Sequence, residues 1–171
     1  MPRGAVVGGQ EGPAEAAGGL GGEFKDRAMR HQLRRCLGSD AIPFVNRLTS
    51  NDVTKLLDGQ AQYSALTTPQ GTVIDDLLVY RFDQDKLLLV VNAGTTDKDW
   101  DWITSHKKAE NITLTNASAD YCQIAVQGPK ALEIAQKLTE VNLGEIKYYH
   151  FTVDKFDGVD AIISRTGYTG E

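Results

Sequence analysis

Cysteine is scarce: the 171 residues hold two, Cys36 and Cys122. Their spacing fits neither a zinc site nor a disulfide framework, so both read as reduced thiols of a cytosolic-type protein. Long hydrophobic runs are lacking as well. The longest, Leu87–Val91, falls far short of the ~20 apolar residues that a membrane-crossing helix needs, so no membrane span is expected. A basic excess is missing: 18 Lys and Arg stand against 23 Asp and Glu, for a net charge of −5. Nucleic-acid binders usually carry the opposite balance, so that class of partner is not expected. The three histidines, His31, His106 and His150, form no His-x-x-x-His pair, which leaves a metal site without support. Ser64 and Ser164 lack a G-x-S-x-G setting, so a serine hydrolase is unsupported too.

What is present is uneven. Apolar residues make up 41% of the chain, enough for a real core. Nine of the 17 glycines fall in residues 1–38, which also hold six Lys and Arg against four Asp and Glu. Residues 1–20 show no hydrophobic period and no apolar stretch of the secretory kind. Glu11, Glu15 and Glu23 argue against a transit peptide. Residues 24–37 (FKDRAMRHQLRRCL) fit a short basic helix that would bring Arg30, Arg34 and Arg35 together on a solvated face. The expected division is a Gly-rich leader over 1–37, disordered or unrelated to the rest, an antiparallel α+β unit over 38–137, and the start of a second, incomplete unit over 138–171.

From Gly38 the patterning sharpens. Ser39 can cap a helix opening with Asp40, in which Ile42, Val45 and Leu48 form a buried stripe and Pro43 stays near the first turn. Strands are expected over Ala61–Thr68, Val73–Phe82 and Lys86–Asn92, joined by short turns and therefore antiparallel. Thr96 can cap a helix reaching about His106, with Asp97 and Asp99 in its first turn as the helix dipole favours. Strands over Ile112–Asn116 and Tyr121–Val126 follow. A helix after Pro129 should bury Ala131, Ile134, Ala135 and Leu138. Strands over Tyr148–Val153 and Ala161–Arg165 flank the turn Asp157-Gly158. The order gives an α+β fold of antiparallel sheets with flanking helices.

The most informative stretch is Gly71–Tyr80, GTVIDDLLVY. Strand period places Asp75 on the face of Val73, Leu77 and Val79, and Asp76 on the face of Ile74, Leu78 and Tyr80. A buried carboxylate is costly unless paired or hydrogen-bonded. Either both sit at a wet strand end and bind turn amides, or one aims into a ligand cavity that sets its pKa. Tyr63 and Asn92 lie on the neighbouring strands and offer groups that suit a flat polar heterocycle; alone, they read equally as strand packing and an end-of-strand turn. The closing Arg165–Glu171 (RTGYTGE) has glycines spaced for a tight loop but is neither a Walker A loop nor a dinucleotide fingerprint.

Taken in order, Leu48–Val53, Gly59–Tyr63, Gly71–Tyr80, Leu89–Ala93, Ala125–Pro129, Tyr148–Phe151 and Arg165–Glu171 resemble the glycine cleavage T-protein (aminomethyltransferase) family from about Gly38 onward. The family's usual opening is absent from residues 1–37, and family chains run on for about as long again past Glu171. The chain thus resembles a middle segment of such a protein, inactive alone. The resemblance implies a folate-binding α+β fold and transfer of a one-carbon unit from the aminomethyl-lipoyl arm of the H-protein to tetrahydrofolate, with release of ammonia. It implies that Asp75 is the catalytic carboxylate beside the folate and Asp76 a structural neighbour. It further implies that Tyr63 and Asn92 line the pocket and that Glu171 binds the pterin. A cytoplasmic location follows for a bacterial source, and a mitochondrial one for a eukaryote. Two relatives of the family stay open: a folate-binding iron–sulfur maintenance protein, disfavoured because Gly167 stands where such proteins usually carry Cys, and a demethylase of small donors.

Overall fold

A computed structural model describes residues 5–10 and 32–167. The strands form two antiparallel sheets, and the chain divides into two compact units, His31–Ser118 and the remainder.

The His31–Ser118 unit is built on a five-stranded sheet in the order β3-β4-β5-β2-β6. Its strands are β2 (Gln32–Leu37), β3 (Gln60–Thr67), β4 (Val73–Asp83), β5 (Lys86–Val91) and β6 (Thr113–Asn116). The expected meander of β3, β4 and β5 is there, its turns set by Thr68–Thr72 and by Asp83 accepting from the Asp85 amide at 2.8 Å. One face of β4 and β5 carries Leu77, Val79, Leu87, Leu89 and Val91 into a core with α1 (Ala41–Leu48). Helix α1 forms because Ala41, Phe44, Val45 and Leu48 make one apolar stripe. Pro43 is tolerated because the first amides of a helix have no partner inside it. Asp40, not Ser39, occupies the N-cap, and its carboxylate instead accepts from the Asn111 amide at 2.7 Å. Helix α2 (Thr96–Ser105) adds Ile103 to the same core.

Two expectations fail in this unit. Residues 32–37 are not the end of a basic helix but strand β2, hydrogen-bonded to β5 on one side and β6 on the other. The unit therefore starts before Gly38. Arg34 and Arg35 point to opposite faces of the strand, and Arg34 is fully buried. The gain from filling a central sheet position, with Leu33 and Cys36 also buried, overrides local helical preference. The buried guanidinium is compensated in part, by bonds from its Nη1 to Asn116 Oδ1 and Ser118 Oγ, each 2.6 Å, and by the Trp100 ring, whose centre lies 5.0 Å away, while Nε and Nη2 have no hydrogen-bond partner among the described residues.

The other unit holds a four-stranded sheet in the order β7-β1-β9-β8. Its strands are β1 (Ala5–Gln10), β7 (Tyr121–Val126), β8 (Phe151–Phe156) and β9 (Val159–Ser164). Residues 5–10, expected in a disordered or unrelated leader, are thus a paired strand. Asp157 and Gly158 both take positive φ, 51° and 79°, the signature of the tight turn that joins twisted antiparallel strands. The strand expected over Tyr148–Val153 begins later, at Phe151, because Tyr149 adopts a φ of 59° and its amide bonds Arg165 O at 2.9 Å. Helix α3 (Ala131–Ala135) is short and buries Ala131 and Ala135; Ile134 is exposed, and so is Leu138, which a tighter 3-10 turn over Gln136–Leu138 takes out of the helical stripe.

Candidate functional site

The site grows from the place where β4 outruns β5. The last pair between them is Leu77 with Val91, so Asp75 and Asp76 project past the end of β5. On the other side, the β3–β4 register shifts between Leu66 and Thr67, which twists this end of β4. Asn92 leaves β5 just there. A single 3-10 turn, Ala93–Thr95, then leads into α2 and delivers Thr95, Lys98 and Asp99 to the same strand end.

Asp75 and Asp76 diverge as strand period requires, and they differ in what they bind. Both oxygens of Asp75 are fully engaged. Oδ1 accepts from Asn92 Nδ2 at 2.8 Å and from the Asp76 amide at 2.9 Å. Oδ2 accepts from Lys98 Nζ at 3.1 Å and from the Thr95 hydroxyl in a very short bond. Four donors fill the acceptor capacity of a carboxylate. Burial alone would raise this carboxyl's pKa, but the bonds from Thr95, Asn92, Lys98 and the Asp76 amide outweigh it and hold the group far below the usual carboxylate range.

Asp76 has room left. Oδ1 accepts from Asn92 Nδ2 at 2.5 Å and Oδ2 from the Tyr63 hydroxyl at 2.7 Å. Two of its four acceptor positions are unused among the described residues. Tyr63 shares that face of the sheet and is 51% exposed, so its ring is open to a ligand. Its phenol is pushed upward in pKa chiefly by the bond it donates to Asp76. Asn92 is the hinge of the arrangement: its two amide hydrogens serve one carboxylate each.

The structure therefore brings Tyr63, Asn92 and Asp76 together, and turns Asp75 away from Tyr63 toward Thr95 and Lys98. Glu171 lies outside the described residues. Sequence reasoning missed Thr95, Lys98 and Asp99. Asp99 had a readable signal: it stands four residues before Ile103, inside the helix's buried stripe, and both are fully buried. Its place in the first turn suits the helix dipole equally, and that masks the signal.

Residues 32–171 match the family described as the GCVT N-terminal domain, so the match takes in β2 as well as the segments after Gly38. An aminomethyltransferase of Desulfitobacterium hafniense (strain DSM 10664 / DCB-2) is 49% identical over 134 residues, which is 78% of this chain and 37% of the relative. An aminomethyltransferase of Phocaeicola vulgatus is 51% identical over 134 residues, with the same shares. The crystal structure of glycine cleavage system aminomethyltransferase T from Bartonella henselae is similar with a TM-score of 0.61, at 19% identity, over 81% of this chain and 40% of that one. That last likeness is one of fold. The chain spans 37% of the length of the curated relatives it matches. With the family match covering most of the sequence, and relatives about half identical across it, the chain belongs to the GCVT N-terminal domain family.

Proposed function

We propose that this chain forms the folate-facing part of an aminomethyltransferase. In that reaction a one-carbon unit passes from the aminomethyl-lipoyl arm of a carrier H-protein to tetrahydrofolate, and ammonia is released. The family and the aminomethyltransferase relatives support the reaction class. The observation that carries the reading is the spare acceptor capacity of Asp76 beside an exposed Tyr63 ring. A pterin is a flat heterocycle with N–H donors along one edge, and this donor-hungry carboxylate next to an aromatic face fits it.

In this reading the ligand-facing carboxylate is Asp76 rather than Asp75. Its fixed negative charge stands where positive character develops on the reacting nitrogen and carbon, and stabilises it without reorganisation. Tyr63 and Asn92 hold its rotamer, so the charge is aimed before the ligand arrives. Asp75, already saturated, anchors Asn92 from behind. Glu171 keeps the part of a second acceptor for the pterin edge.

The test is a chimaera in which this segment replaces its counterpart in the longer Desulfitobacterium hafniense relative. Folate-dependent ammonia release from aminomethyl-lipoyl H-protein is the expected result. A folded chimaera that binds tetrahydrofolate no better than an unrelated protein would defeat the proposal.

A further inference from the structure

Asp99 is fully buried in the first turn of α2, and one of its oxygens, Oδ1, has no hydrogen-bond partner. Its other oxygen, Oδ2, lies 3.3 Å from Thr95 Oγ1. The Thr95 hydroxyl has a single hydrogen, and the much shorter contact to Asp75 Oδ2 takes it. Two oxygens in contact with no hydrogen between them repel. A hydrogen on the Asp99 carboxyl group would turn the contact between Thr95 and Asp99 into a hydrogen bond that Asp99 donates.

The charges around Asp99 agree. Asp75, from β4, is ionised and close. Lys98 forms a long ion pair with Asp99 Oδ1 at 3.8 Å, while its ammonium donates to Ile74 O at 2.8 Å and Asp75 Oδ2 at 3.1 Å. Arg34, from β2, is coupled through space to both Asp97 and Asp99, and among the described residues it makes no ion pair or hydrogen bond with Asp99. Burial first, and then the charge of Asp75, push the Asp99 carboxyl up, against the weaker pulls of Lys98 and of the Thr95 contact.

We propose that Asp99 is a positioning residue: a carboxylic acid that keeps its proton at neutral pH and donates it to Thr95 Oγ1, which donates in turn to Asp75. Asp75 holds Asn92, and Asn92 holds Asp76. Asp99 thus fixes a carboxylate on the far side of the strand through four hydrogen bonds in series. No proton leaves its oxygen; the relay orients and does not transfer. The inference concerns the protonation and bonding of these side chains and does not rest on the transferase reading.

The experiment is carboxyl-carbon NMR of the full chain labelled in aspartate, titrated between acid and neutral pH, with infrared spectra at neutral pH. The wild type is expected to show one protonated carboxyl at neutral pH that disappears in Asp99→Asn. Asp75→Asn, which removes the adjacent negative charge, should weaken proton binding at Asp99 by about tenfold or more. Asp99→Asn keeps an N–H donor for Thr95, so Asp75 should stay ionised to low pH. Thr95→Val breaks the relay without touching Asp99, and should raise the proton affinity of Asp75 by about tenfold. A wild-type spectrum with every aspartate ionised at neutral pH would overturn the proposal. So would an Asp75 midpoint that ignores Thr95→Val. Neither result depends on catalytic activity, and the wild-type spectrum decides even if a variant fails to fold.

Discussion

Asp75 and Asp76 are neighbours in sequence and differ in what they bind, and substitution should separate the roles proposed for them. In the chimaera, Asp76→Asn removes charge from the ligand face while leaving the four bonds of Asp75 in place. Turnover should fall by about a hundredfold, with tetrahydrofolate binding changed only a few-fold. Asp75→Asn removes the charge that collects Thr95, Asn92 and Lys98, and should destabilise the fold by about 2 kcal/mol at neutral pH, read by urea unfolding. Turnover lost in Asp75→Asn at full stability, and kept in Asp76→Asn, would return the catalytic part to Asp75. The pH dependence has a definite sign. The folded-state pKa of Asp75 is depressed, so its contribution is present above the ordinary carboxylate value and is lost as pH falls below it. The gap between wild type and Asp75→Asn should therefore close between about pH 5 and pH 2. Asp99 has the reverse sign: its raised value makes it stabilising at low pH and costly as pH rises, so Asp99→Asn should gain on the wild type with increasing pH. The alternation of the two carboxylates was legible from the strand period alone. Which one faces a ligand was not, because that depends on Thr95 and Lys98 arriving from α2, and no local pattern places a later helix against a strand end.

At the level of elements, periodicity served well wherever one face was buried and the turn residues were unambiguous. The β3–β4–β5 meander and the Asp157-Gly158 hairpin are of this kind. It failed at β2, where Arg34 and Arg35 suggested a solvated helix and the sheet needed a central strand. The clue lay at the strand's end. Gly38 has a φ of 135°, and a side chain there would place its Cβ 2.1 Å from Asn111 O. Its amide bonds Asp85 O at 2.8 Å, and its carbonyl accepts from Ala41 at 2.9 Å. Only glycine lets the chain leave β2 and enter α1 with the β6 approach segment this close. Gly38→Ala should therefore destabilise the His31–Ser118 unit by more than about 1 kcal/mol, through strain and overlap together. The midpoint of urea unfolding would move down with little change in slope. An unchanged midpoint would mean that this crossing is looser than drawn.

For the molecule as a whole, the consequence of a central β2 is that a cysteine sits in the middle of a core. Cys36 is fully buried beside Leu87 and Ile112, and burial pushes its thiol up to about 12. The thiolate is the reactive form, so the native chain should hide this residue both sterically and chemically. In a Cys122→Ser background, Cys36 is the single thiol, and reaction with a soluble disulfide reagent requires the five-stranded unit to open. If β2 is held on both edges by β5 and β6, that opening is the global unfolding of the unit, because no local fraying exposes a central strand. The logarithm of the labelling rate should then rise with urea at a slope equal to that of the unit's equilibrium unfolding. A much shallower slope would show that Cys36 is reached by a small local opening. The strand would then sit at an edge rather than between its two neighbours, and the leader-like composition around it would have been the better guide.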